Sequence, residues 1–232
     1  MKNSPIILAL DTDSIATAES WVKATNKYVG TYKLGLEFFL TFGREGVTRI
    51  AELAERDIFL DLKLHDIPNT VAGAVRAVSE LQPKFLTVHA SGGSEMISAA
   101  VGEAGQTQIT AVTILTSLSQ ADVTEIGFGG AINEIAAHLA KTSANAGAKA
   151  IVCSPFEIAA IRAAVGPHVS IITPGVRLDS GNDDQKRTKT PAQAIADGAD
   201  FIVVGRPITG AWKDGAGAME EAARVIAASL GA

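Results

Sequence analysis

Cysteine is almost missing from these 232 residues. Cys153 stands alone, which excludes an intramolecular disulfide framework and any metal site built from several thiolates. Missing too is any apolar run long enough to span a membrane. The opening residues Met1-Lys2-Asn3-Ser4-Pro5 pass at once into a strand-like run, which leaves no room for a signal peptide, and the cytoplasm is the expected compartment. No Lys/Arg-dense stretch offers a nucleic-acid footprint, and the formal net charge is −5. No Gly-rich nucleotide fingerprint follows the first strand candidate, which ends Leu8-Ala9-Leu10-Asp11. Neither a linker nor a low-complexity segment interrupts the chain, so one domain over 1–232 is expected.

What is present is an ordinary folding composition, 47% hydrophobic and 19% charged. Short aliphatic or β-branched runs at 6–10, 31–34, 58–62, 85–89, 108–115, 150–153, 170–173 and 201–204 read as strands. Segments with apolar residues at helical spacing alternate with them, at 16–29, 47–54, 71–81, 94–102, 132–145, 156–165, 192–196 and 216–230. Eight strands alternating with helices imply parallel pairing through right-handed crossovers, and eight such units close into a (β/α)8 barrel of the TIM type. The strands are nearly continuous apolar runs, as burial on both faces requires.

Two connections are longer than the rest, 117–130 after the fifth strand and 176–190 after the seventh. Loops of this length without structure of their own are usually functional lids or disordered segments. The second carries Arg177, Lys186, Arg187 and Lys189, with Arg206 following the eighth strand. Local positive charge in an acidic protein suits a small bound anion, and a solvated basic loop is the plainer alternative.

Barrel enzymes place their chemistry at the C-terminal ends of the strands. The polar residues there are Asp11, Lys33, Asp61, Lys63, Asp66, His89, Thr116, Ser117, Arg177, Gly205 and Arg206. Asp61 and Lys63 are two apart, so a regular strand points both into the barrel and turns Leu60, Leu62 and Leu64 toward the helices. Buried charges are costly unless paired or functional, which leaves a capping ion network or an active site. Carboxylates on both sides of Lys63 favour its ammonium, so it suits a fixed cation and proton donor better than an imine-forming amine. Val204-Gly205-Arg206-Pro207 sits where such barrels commonly bind phosphate: a glycine for close approach, then a guanidinium. Gln185 and Arg177 can close over it from the long loop. Cys153 reads as a buried thiol, His65 as packing or solvent contact, and His89 as a possible pocket wall.

The segment Asp61-Leu62-Lys63-Leu64-His65-Asp66-Ile67-Pro68-Asn69-Thr70 resembles the Asp-x-Lys-x-x-Asp-Ile-Pro-x-Thr signature of the orotidine 5′-phosphate decarboxylases. Asp11, Lys33-Leu34-Gly35, Leu115-Thr116-Ser117, Pro174-Gly175-Val176-Arg177, Gln185 and Gly205-Arg206-Pro207 resemble further motifs of that family, in order and over nearly the whole chain. The short length resembles its stand-alone bacterial form. The resemblance implies a homodimer with shared active sites, no cofactor and no metal. It implies that Lys33, Asp61 and Lys63 come from one subunit and Asp66 from the other. Asp11 and Lys33, with Thr70 of the partner subunit, are implied to contact the ribose. Thr116 would hold the pyrimidine edge, with help from the backbone at Ser117. Gly205, Arg206 and Gln185 would hold the phosphate, with Arg177 nearby.

On that reading Lys63 stabilises a carbanion at C6 of the orotate ring and protonates it, giving UMP. The nearest rival is the related branch of Mg2+-dependent sugar-phosphate decarboxylases and synthases, which uses a carboxylate near the end of the second strand. Lys33 stands there instead, and its charge repels a metal; Glu37 is the nearest candidate ligand. A non-catalytic nucleotide-binding barrel and a sugar-phosphate isomerase are the other readings, because fold alone does not fix function.

Overall fold

A computed structural model describes residues 4–177 and 189–231. The eight apolar runs form β1 Ile6–Ala9, β2 Thr31–Gly35, β3 Asp57–Leu64, β4 Phe85–His89, β5 Gln108–Val112, β6 Ala150–Val152, β7 Ser170–Pro174 and β8 Phe201–Val204. They pair in parallel and in sequence order, and β8 returns to β1 to close the barrel. The helices between and after them are α1 Ile15–Thr25, α2 Leu36–Ala54, α3 Pro68–Ser79, α4 Gly93–Glu103, α5 Gln120–Glu125, α6 Ile132–Asn145, α7 Ile158–Val165, α8 Pro191–Ala196, α9 Arg206–Thr209 and α10 Ala216–Ser229.

Among the departures from the sequence expectation, three have a clear local reason. The second helix begins at Leu36 rather than at residue 47, because its first half is an aromatic-rich run without clean periodicity and Gly43, at φ 58°, kinks it. The fifth strand stops at Val112 rather than at residue 115, and Leu115 to Leu118 make a turn closed by Leu118 N–H on the Leu115 carbonyl. The connection 117–130 contains α5, started by Ser119, whose hydroxyl and backbone exchange hydrogen bonds with Asp122 in a capping box. Of the long connection 176–190, the described ends are joined at its base: Val176 bridges Lys189, and Arg177 N–H donates to the Lys189 carbonyl at 3.1 Å.

Two apolar layers hold the barrel. The outer one lies between strands and helices and contains Leu8, Leu34, Leu60, Leu62, Leu86 and Ile202 among many aliphatic residues. The inner one fills the barrel with Ile7, Phe59, Phe85, Ala150 and Ile172, joined by Val152, Phe201 and Val203. Phe85 meets Phe59 edge-on at 5.6 Å and Phe201 at 5.4 Å, near the favoured geometry for aromatic pairs. Below them Lys84 Nζ lies 5.4 and 5.2 Å from the Phe85 and Phe201 ring centres and 2.6 Å from Asp57. The N-terminal end of the barrel is thus closed by aromatic rings and one ion pair. Apolar packing stops at the other end, where the charged residues collect.

Candidate active site

The strand register brings the charged residues together. β1 sets Ala9 opposite Lys33, and β2 sets Gly35 opposite Asp61. Lys33 Nζ therefore lies 3.2 Å from Asp11 Oδ1 and 3.4 Å from Asp61 Oδ2. The other Asp61 oxygen, Oδ1, accepts from Lys63 Nζ at 2.8 Å. The result is an alternating row Asp11–Lys33–Asp61–Lys63 within one chain. A Cβ on Gly35 would come 3.2 Å from Lys33 Nζ, so this glycine leaves the ammonium its space.

Exposure grades along the row. The side chains of Lys33 and Asp61 are 12% and 14% exposed, while Lys63 keeps 30% and so presents its ammonium at the open end. Burial alone would push the Asp61 carboxyl up; Lys33 and Lys63, with hydrogen bonds from Lys63 and Thr87, outweigh it and hold the group below the usual carboxylate range. Asp61 is thus a fixed anion between two cations, and it holds both ammonium groups in place.

β3 reaches this geometry by leaving its regular path. Leu60 pairs with Leu86 and Leu64 with Val88, so the three residues Asp61, Leu62 and Lys63 of β3 face the single residue Thr87 of β4. Lys63 takes the left-handed backbone conformation, φ 48°, which is uncommon outside glycine. The pairing of Asp61 with Lys63 was expected from even spacing on a flat strand; it arises instead within a bulge. Because the excess is two residues, the in-and-out alternation survives, and Leu60, Leu62 and Leu64 still pack toward the helices.

The other expected site residues sit at the same mouth with different degrees of engagement. Asp66 is exposed and turns its carboxylate onto its own neighbour, accepting Ile67 N–H at 2.6 Å; among the described residues it joins no ion pair. Thr70 is exposed in the first turn of α3, which Pro68 opens. Thr116 and Ser117 are exposed in the turn beyond β5. Gly205 precedes α9, and Arg206, exposed, is its first residue. Among the described residues nothing crowds the missing Cβ of Gly205, Ala9 being nearest at 3.8 Å. Gln185 lies outside the described residues, as do Lys186 and Arg187. Glu37 is exposed on α2, and among the described residues no ion pair ties it to the charged row.

One feature escaped the sequence reading, and a second concerns two histidines that it names. Thr87, fully buried on β4, accepts Lys63 N–H at 2.8 Å and donates to Asp61 Oδ1 at 3.1 Å. The rings of His65 and His89 lie 5.3 Å apart beside Lys63. Burial, helped by His65 and Lys63 and opposed by Asp61, holds His89 below its ordinary value, so it is a neutral wall of the site near pH 7. Cys153 is fully buried, and burial pushes its thiol up out of the reactive range.

A family model described as "Orotidine 5'-phosphate decarboxylase / HUMPS family" matches residues 4–222. The chain belongs to that family. An orotidine 5′-phosphate decarboxylase of Thermobifida fusca is 49% identical over 223 residues, covering 96% of each chain. One of Anaeromyxobacter sp. (strain K) is 48% identical over 227 residues, covering 97% of each. The crystal structure of orotidine 5′-phosphate decarboxylase from Lactobacillus acidophilus superposes with a TM-score of 0.83 at 33% identity, covering 99% of this chain and 100% of that one. In this member of the family the ten-residue signature from Asp61 to Thr70 spans a bulged strand end, an exposed turn and the first turn of a helix.

Proposed function

We propose that this chain removes CO2 from orotidine 5′-phosphate to give UMP, with Lys63 as the proton donor. The observation that supports this most is the Lys63 ammonium, fixed at 2.8 Å on Asp61 and open on its outer side. Decarboxylation breaks the bond between C6 and the carboxylate and leaves the electron pair on C6, where the ring delocalises it poorly. A cation already in position lowers the energy of that charge without reorganising, and transfer of one proton from Lys63 to C6 completes UMP. Lys63 then regains its proton from water. Asp61, anionic throughout, borders the place of the departing carboxylate and favours its loss as neutral CO2.

Binding falls to the rest of the mouth. Asp11 and Lys33 contact the ribose hydroxyls, and Thr116 with the backbone of Ser117 holds the pyrimidine edge. Gly205 and Arg206 take the phosphate, with Arg177 and Gln185 reaching it from the long loop. The binding energy of the remote phosphate serves to organise the reacting end. The protein works as a homodimer in the cytoplasm, one barrel domain per chain, and Asp66 and Thr70 of the partner subunit complete each site. Three exposed apolar side chains support such an interface: Leu36 and Leu40, one helical turn apart on α2, and Ile67 beside Asp66.

The test is the loss of orotidylate ultraviolet absorbance on mixing with the protein in EDTA. Turnover unaffected by the chelator and abolished in Lys63→Ala is expected. Activity that needs added Mg2+, or that survives in Lys63→Ala, overturns the reading.

A further inference from the structure

The β3 bulge has no backbone partner for Lys63 across the strand interface; the Thr87 side chain stands there instead. From Leu60 to Leu64 the strand advances four residues while β4 advances two, from Leu86 to Val88, and Thr87 lies alone in the gap. Its Oγ1 takes the Lys63 N–H at 2.8 Å, and its hydroxyl hydrogen goes to Asp61 Oδ1 at 3.1 Å. That same Oδ1 receives the Lys63 ammonium at 2.8 Å. One hydroxyl therefore joins the backbone that aims Lys63 to the carboxylate that holds its side chain.

We infer that Thr87 is a positioning residue of the decarboxylase, fixing the left-handed backbone of Lys63 and the charge of Asp61 without touching substrate. This rests on the proposed roles of Lys63 and Asp61. The physical argument has three parts. The left-handed region is unfavourable for a non-glycine residue, so Lys63 holds φ 48° only while something fixes it. The Lys63 N–H, part-buried at the strand interface, finds its partner in the Thr87 oxygen at 2.8 Å. A donor to Asp61 favours its anion, adding to the two lysines. Thr87 is itself fully buried, so its hydroxyl is not exchanged for water in the folded protein. No apolar residue of the same shape can do this, although Val fits a buried strand equally well by packing.

The experiment compares Thr87→Val, Thr87→Ala and Thr87→Ser with wild type and Lys63→Ala, by steady-state decarboxylation across pH. Valine keeps the shape and removes the hydroxyl; serine and alanine share the loss of the methyl and differ only in the oxygen. Expected in Thr87→Val and Thr87→Ala is a kcat lower by about ten- to a hundred-fold, the range for outer partners of a reacting group, with KM changed little. The acid limb of the pH profile moves to higher pH, because Asp61 loses a donor. Thr87→Ser keeps kcat and the acid limb close to wild type. Should Thr87→Val fail to fold, the serine and alanine pair reads the hydroxyl alone. Wild-type kcat and an unmoved acid limb in Thr87→Ala, with Lys63→Ala inactive, overturn the role of Thr87 and leave the site intact. Equal losses in serine and alanine overturn it as well, since that pattern reports packing. An active Lys63→Ala removes the site assignment and the inference with it.

Discussion

Asp66 accepts the backbone N–H of Ile67 at 2.6 Å and makes no ion pair with Lys63, three residues before it. A carboxylate that belongs to the charged row of its own chain would lie on the ammonium; this one is held outward at an exposed turn. On the shared-site reading, inactive Lys63→Ala and Asp66→Ala proteins rescue each other when mixed. Random exchange makes half the dimers mixed, each with one intact site, so roughly a quarter of the wild-type activity returns. The absorbance assay after subunit exchange reads this directly, and an inert mixture despite demonstrated exchange assigns Asp66 to its own chain.

On the proposed assignment, Arg206→Ala separates binding at the phosphate from chemistry at the base. Arg206 is exposed at the start of α9, which follows β8, the strand next to β1 and away from the β3 bulge. Loss of a charge-assisted guanidinium contact worth about 3–4 kcal/mol lowers kcat/KM on the full substrate about 10²- to 10³-fold. Turnover of the nucleoside, which has no phosphate to hold, changes little. Equal losses on the two substrates contradict the assignment.

His89 gives the site an acid-sensitive wall. Its folded value lies below the ordinary 6.5, so between those two values the unfolded chain binds a proton that the folded chain does not. Stability is therefore complete above about pH 6.5 and falls as the pH drops through that window toward the folded value. Urea unfolding at pH 7.5 and 5.5 shows the loss in wild type; a smaller difference is expected in His89→Gln. An unchanged pH dependence in that variant refutes the role of His89.

The aromatic floor carries stability and no chemistry. Phe85 is fully buried between Phe59 and Phe201, so Phe85→Ala leaves a cavity that rigid strands cannot fill. A loss of about 3–5 kcal/mol is expected, against about 1 kcal/mol for Phe85→Leu. Denaturant midpoints measure both. The activity of the folded fraction stays near wild type, since the charged row lies at the other end.

How far the chain could be read from its sequence follows from which features have a period. The eight strands and most helices announced themselves by apolar runs and helical spacing. Helix α2 hid its first half because Phe38 and Phe42 pack on each other while Leu36 and Leu40 stay exposed, which is no simple stripe. The pairing of Asp61 with Lys63 was legible and its cause was not: a two-residue excess leaves the alternation of side chains undisturbed, so the bulge writes nothing into the pattern. Thr87 was invisible for a related reason. A threonine inside an apolar strand is an ordinary β-former until its partner across the sheet is known.

The two extra residues of β3 also say how the barrel carries Lys63. A β3 shorter by two would pair with β4 without interruption, and Leu60 and Leu64 would keep their side. β3 is paired with β4 on either side of the detour that carries Lys63, and the sheet closes around it. Seen this way, Lys63 sits on a tolerated inset of an otherwise regular scaffold. Such an inset is free to change its cargo of side chains while the architecture around it stands still.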